Sequence, residues 1–391
     1  MSPSRRRRRP WWLLAAAAVV AAPVTGALPA DDARALLERT GPVLLFVAGL
    51  TVVAELCAGA GLFATAAAAA ARAARGHRAL LWGAVVLLAT ACTAVLSLDT
   101  TAVLLTPVVI ALARRTHAPP LPFALAVVAL SNTASLVLPV SNLTNLLATH
   151  ELDAAGVSYL GLMWAPALAA IVVTVVVLAV RDRHALRGTY TTVPATAAPD
   201  PLVLRLTAAT VAVMAVAFVV GTPPALAAGV AAVLLVVVQR VRRRPWPVPP
   251  ADMVPWRTLL VVAALFVTVA TAHAHGMGDV LAAAAGDGTD PLALLRLAVV
   301  GALASNAVNN LPAFLALDPA AGGDPLRIAA LLIGTGVAPL VTPWGSLATV
   351  LWWQRCRQVL LDVPARTIVR QGLLLAPLAL LAAVAALVGT S

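Results

Sequence analysis

The chain has 391 residues, 61% of them apolar and 11% charged, far below the roughly 25% charged content of soluble globular domains. A water-soluble class is excluded. The formal charge of +11 would suggest nucleic acid in a soluble protein, but here all of the fixed positive charge is arginine and collects at the ends of apolar runs, so it reads as membrane orientation and no nucleic-acid partner is expected.

Runs long enough to cross about 30 Å of hydrocarbon, about 20 helical residues each, recur from Trp11 to Val388. With Arg5–Arg9 placed in the cytoplasm of a bacterial inner membrane, segment 11–29 leads out and residues 31–41 lie outside; a cleaved signal peptide is the alternative for the same stretch. Segment 43–65, which contains Glu55, returns to Arg72, Arg75 and Arg78. Segment 79–113 then starts beside Arg78 and ends at Arg114 and Arg115, with two apolar arms meeting at Asp99-Thr100-Thr101. It is a re-entrant hairpin or two complete crossings, and the short second arm with Pro107 favours the hairpin. Segment 122–149 leads out to His150–Asp153, and 159–180 returns to Arg181, Arg183 and Arg187. Segments 202–220 and 225–239 flank the turn Gly221-Thr222-Pro223-Pro224, the second ending at Arg240 and Arg242–Arg244.

Segment 257–275 then leads out, with His273 and His275 expected at the interface or in water. Hairpin 291–317 begins near Asp290 and ends near Asp318 and Asp324. Segment 326–353 returns to Arg355, Arg357, Arg366 and Arg370, a stretch expected to form an interfacial helix, and 371–388 leads out. Only Arg34, Arg39, Arg296 and Arg327 then fall away from the cytoplasmic side. Cys57, Cys92 and Cys356 show no CxxC or Cys/His spacing, so neither a disulfide nor a thiolate metal site is expected.

The order span, hairpin, span, span occurs twice, in residues 42–181 and 257–391, with every direction reversed. Residues 1–41 form an N-terminal helix and external loop, and 182–256 connect the repeats through two helices and a basic loop. The expected class is an all-α polytopic membrane protein of two inverted repeats, each with a re-entrant hairpin and a broken transmembrane helix. The polar interruptions supply the candidate substrate-binding residues: Thr100 and Thr101; Ser131, Asn132, Thr133, Ser141, Asn142 and Asn145; Ser305, Asn306, Asn309 and Asn310; and Thr342, Gly345 and Ser346. Unwound backbone persists in a membrane mainly where protein or a hydrated cavity satisfies it, so the breaks point inward. One such cluster could be interhelical glue; four in matching order indicate a transporter. An intramembrane enzyme is disfavoured by the lack of HExxH and GxSxG.

At Ser131–Leu147, Asn306–Ala313 and Val341–Trp352, the last containing Thr-Pro-Trp-Gly-Ser-Leu-Ala-Thr, the chain resembles the arsenite and antimonite efflux permeases of the ion transporter superfamily. Leu98-Asp99 stands where that family usually carries Asn-Asp in the first hairpin tip. The resemblance implies export driven by the proton-motive force, with a cytoplasmic arsenite-stimulated ATPase as an optional partner and a homodimer left open; no cofactor other than the coupling ion is implied. Arsenite is mostly an uncharged trihydroxy species near neutral pH, which suits hydroxyl and amide partners. Asp99 and Glu55 are the proton-coupling candidates, each weighed against a helix-capping or packing role. Sodium-coupled uptake of a divalent anion or carboxylate, or sodium/proton antiport, are the alternatives.

Overall fold

A computed structural model describes residues 17, 19, 21–22, 24–191 and 200–390. The expected first span 11–29 lies mostly outside the described residues. Among those described, the chain is helical throughout, with one isolated bridge between His77 and Thr189. Among the described residues, eight helices are long and apolar enough to cross a membrane.

α1 (Ala30–Gly59) is longer than the expected 43–65 at its start and ends earlier. Residues 31–41 are its first turns, not a loop: Asp31 and Asp32 suit a helix N-terminus, and Pro42 is tolerated inside. Gly61, at φ 79°, turns the chain into α2 (Leu62–Ala73). α3 (Arg78–Leu96) runs to Ser97, and the chain returns through one helical turn, a π-helix over Thr101–Leu105 and α4 (Thr106–Arg115). Pro107, which has no N–H to give, follows that widened turn directly. The ends of this excursion meet, Arg78 Nη2 donating to the His117 carbonyl at 3.1 Å.

The next span is broken as its polar residues suggest. α5 (Pro120–Thr133) stops, Leu138 and Asn142 are extended, and α6 (Leu143–Ala154) resumes. α7 (Tyr159–Arg181), α8 (Pro201–Val219), α9 (Pro224–Val241) and α10 (Trp256–Ala274) follow, then a short unforeseen helix, α11 (Met277–Ala285). The second excursion is α12 (Pro291–Val308) and α13 (Asn310–Ala321), parted by Asn309. The second broken span is α14 (Pro325–Val337) and α15 (Leu347–Gln358), and α16 (Ala365–Thr390) closes the chain. Arg355–Arg370 is therefore no single interfacial helix: α15 ends at Gln358, residues 359–364 are non-helical, and Arg366 and Arg370 start α16.

α7 and α16 pack most extensively against each other, and Arg181 Nη1 donates to Gln371 Oε1 at 2.7 Å across them. On its other side α7 presents Trp164, Leu168, Val172, Val176 and Val180, an exposed stripe at four-residue spacing suited to lipid. The loops gather at two ends. At one, Arg114 donates to the Val359 and Leu360 carbonyls, and Tyr190 to the Ala71 carbonyl. At the other, residues 35–43, 149–160 and 218–225 surround one vestibule.

Two glycines hold the second half tight, because a Cβ would overlap the Ala298 carbonyl at Gly334 and the Leu340 carbonyl at Gly372. Gly334→Val and Gly372→Val should each lower the detergent melting temperature, by the equivalent of about 1–3 kcal/mol or more. Gly389→Ala, with open space around its Cβ, should leave it unchanged.

Candidate functional site: a cavity among four broken-helix tips

The four interruptions have related local geometry. Ser97 (φ 75°, ψ 162°) and Asn309 (φ 128°, ψ 155°) occupy a backbone region that is essentially reserved for glycine and costs about 1–3 kcal/mol for other residues. Side chains offset that strain. Ser97 Oγ donates to Thr100 Oγ1 at 3.3 Å, and Thr101 Oγ1 donates to the Ser97 carbonyl at 2.9 Å. Asn309 Nδ2 donates to the Trp344 carbonyl at 2.9 Å, while its Oδ1 accepts the Leu311 N–H as a helix cap. In the broken spans, Asn142 and Ser346 are the extended residues that precede the resumed helices.

Two asparagines seal the unwound backbone. Asn145 Nδ2 donates to the Ser135 and Leu138 carbonyls at 2.6 and 3.2 Å. Asn306 Nδ2 donates to the Ala302 and Ala338 carbonyls at 2.9 and 2.8 Å, and its Oδ1 accepts the N–H groups of Val341 and Thr342 at 3.1 and 2.9 Å. Thr342 Oγ1 donates to the Asn306 carbonyl. Gly345 closes the corner: a Cβ there would sit 3.0 Å from Asn306 Oδ1 and Thr342 Oγ1. Ser141 Oγ donates to the Ala94 carbonyl and ties the first break to the first hairpin arm.

Between the tips lies a cavity of about 300 Å³. Leu98, Leu143, Asn310 and Leu347, the first residues of the four resumed helices, all line it. Of the residues singled out in the sequence, Glu55, Asp99, Thr100, Asn142, Asn309 and Asn310 reach the lining. Thr101, Ser141, Asn145, Asn306, Thr342, Gly345 and Ser346 support its walls instead. Ser131, Asn132 and Thr133 are buried within α5, bonded back to the Val127, Val128 and Ala129 carbonyls, and Ser305 is buried in α12. Thr51, Ser97 and Thr258 also line the cavity and were not foreseen. Ser97 had a signal, a Ser-x-x-Thr pattern at the hairpin tip; Thr51 and Thr258 lie on unbroken helices and had none. His273, expected at the interface or in water, is half-buried with Nε2 3.0 Å from the Ala316 carbonyl, binding α10 to the second hairpin.

The chain matches the citrate transporter (CitMHS) family over residues 4–350. It is 30% identical over 329 residues to the arsenical pump membrane protein of Escherichia coli strain K12, covering 77% of this chain and 75% of that protein. The arsenical pump membrane protein of Yersinia enterocolitica is 28% identical over 325 residues, with the same coverage. The chain belongs to the citrate transporter family, alongside the arsenical pump membrane proteins. Its fold is also similar to that in the crystal structure of the Alcanivorax borkumensis YdaH transporter, described there as an unusual topology, at a TM-score of 0.60 and 20% identity over 96% of this chain and 97% of that one.

Within this citrate-family chain the cavity chemistry is lopsided. Its described lining holds two carboxylates, Asp99 and Glu55, and no arginine or histidine. The four helix N-termini at the lining add positive potential, each equivalent to about half a charge. Asp99 Oδ1 and Asn142 Nδ2 are buried without a protein partner, as are Ser346 Oγ and Ser305 Oγ nearby in the breaks.

Asn306 and Asn309 should separate by experiment. Asn306→Ala leaves the Val341 and Thr342 N–H groups without their acceptor and should destabilise the protein by on the order of 3 kcal/mol in thermal unfolding. At Asn309, glycine should be tolerated better than alanine, because only glycine takes a φ of 128° freely. Equal losses for Asn309→Gly and Asn309→Ala would show that the backbone there is not held as described.

Proposed function

We propose that the protein is a secondary active transporter of the bacterial inner membrane that exports arsenite or antimonite in exchange for protons. Its arginine-rich end faces the cytoplasm, and its two repeats are inserted in opposite directions. The observation that carries this reading is the cavity: four helix N-termini and amide or hydroxyl groups around two acids, with no fixed cation. Such a site offers donors and acceptors to a neutral trihydroxy solute and leaves a dianion without an ion-pair partner. The relatives named arsenical pump membrane proteins support the same substrate class.

Asp99 is the proton carrier in this reading. It sits at a hairpin tip, one oxygen has no protein partner, and it faces the cavity where a substrate would sit. A buried carboxyl without a cation is most stable neutral, and its charged form becomes tolerable when the cavity hydrates. Glu55, on the opposite wall, is the second carrier.

The family description, citrate transporter, favours a competing reading: uptake of a carboxylate driven by sodium, attracted by the helix N-termini. Arsenite accumulation in an efflux-deficient host distinguishes the two. With the gene present, cell arsenic should fall severalfold, and an uncoupler should abolish the difference. Asp99→Asn should stay folded yet lose uphill export by tenfold or more, about 1.4 kcal/mol; a mere cap would tolerate the change. Unaltered arsenic content together with sodium-dependent carboxylate uptake would sink the arsenite reading.

A further inference from the structure

A second ionic site lies away from the cavity. One guanidinium nitrogen, Arg39 Nη2, donates to Glu151 Oε1 at 2.8 Å and to Asp318 Oδ2 at 2.6 Å. The three residues come from α1, from α6 of the first broken span, and from α13 of the second hairpin. Arg39 therefore ties together three elements distant in the sequence. Both carboxylates lie within reach of a single nitrogen, so they crowd each other around one positive charge. Asp318 is 3% exposed and its Oδ1 has no partner, while the Glu151 side chain keeps 25% exposure.

The site borders the vestibule at the arginine-poor end, about 1020 Å³ in volume, which Arg39 lines. Val140 lines both this vestibule and the inner cavity, yet is 1% exposed. Near the arginine-poor end, the two spaces are thus parted by a thin wall of which Val140 is one part, with the Arg39 cluster beside it.

We propose that Arg39, Glu151 and Asp318 form a proton-binding latch that holds the external side of the pathway shut. The placement of this end outside rests on the orientation given under Proposed function. Two carboxylates against one arginine leave one negative charge unmatched in a largely buried setting, and a single proton on Glu151 removes it. Burial, and next the Asp318 carboxylate, push the Glu151 carboxyl up to about 7, with Arg39 opposing. In an opened arrangement Glu151 enters water and returns toward the ordinary carboxylate range. The closed arrangement then binds the proton more tightly, so it gains as external pH falls from about 7 toward that range and loses as pH rises through about 7.

Other charged groups lie near without replacing these three. Glu38 on α1 pairs with Arg34, and His150 and Asp153 on α6 line the vestibule. Arg327 on α14 is consumed by the Gly286, Gly288 and Ala320 carbonyls. Arg296 on α12 is bonded to the Ala283 and Ala284 carbonyls, and His273 on α10 reaches the Ala316 carbonyl. Asp324 caps α14, and the sequence of α11 contains Asp279.

The test is labelling of Val140→Cys by a membrane-impermeant maleimide in right-side-out vesicles, normalised to Thr222→Cys in the vestibule turn to remove the reagent's own pH dependence. Normalised labelling should rise at least about fivefold from about pH 5.5 to about pH 8.5, within the limit of about tenfold per pH unit for one proton. Glu151→Gln, which mimics the protonated acid, should keep labelling low and flatten the profile. Arg39→Gln should raise labelling at high pH. A wild-type pH profile in the Glu151→Gln background overturns the proposal, as does identical behaviour of the Arg39 and Glu151 variants. No substrate is needed, so loss of arsenite export with this pH profile intact would condemn the substrate assignment and spare the latch. Labelling of Val140→Cys confined to inverted vesicles would overturn the external placement.

Discussion

Backbone that leaves the helical ladder inside a membrane has no water to fall back on, and each unsatisfied group there costs several kcal/mol. That constraint organises this molecule. Four interruptions open the cavity, and several polar side chains around them are committed to carbonyls or N–H groups that the interruptions would strand. Asn306 alone satisfies four backbone groups. Asn145 and Ser141 do comparable work in the first half. A smaller polar set lines the empty space: Ser97, Asp99, Thr100, Asn142, Asn309 and Asn310 at the tips, with Thr51, Glu55 and Thr258 on unbroken helices.

This division explains what could be read from the sequence and what could not. Order and location of the breaks were legible, because Ser, Thr, Asn and Pro in apolar runs mark places where a helix cannot continue unaided. That most of the chain consists of long apolar helices was legible from run length. Which polar residue seals and which one faces the cavity was not, because Asn306 and Asn309 are the same residue type three positions apart. Their roles diverge through backbone geometry: Asn306 is still on α12 and reaches the 338–342 segment, while Asn309 stands at the turn itself with φ 128°. The helix boundaries around Arg39 and Arg355 were misjudged for one reason. Charge does not end a helix: α1 carries Asp31, Asp32, Arg34, Glu38 and Arg39 in its first turns, and α15 carries Arg355 and Arg357 in its last.

The halves correspond in backbone and differ in chemistry. Ser97 and Asn309 share the same rare backbone region, and Asn142 and Ser346 the same extended one, so corresponding turns have been kept with different side chains. The first tip carries a carboxylate two residues after its turn, at Asp99; the second carries amides at Asn309 and Asn310. A site of two identical acidic tips would place like charges across a small cavity, and one of them would have to hold a proton permanently. One acidic and one amide tip spare the cavity a third carboxylate beside Asp99 and Glu55.

Glu55 fits the same logic from the scaffold side. It lies on α1, the helix that also carries Arg39 some four turns away, so one helix borders the inner cavity through Glu55 and the vestibule through Arg39. A shift of α1 relative to α6 and α13 would alter both at once. In the proposed cycle, closing the external latch and re-forming the inner cavity are then parts of one movement of packed helices, and α1 couples them without a chain of side chains between the two sites.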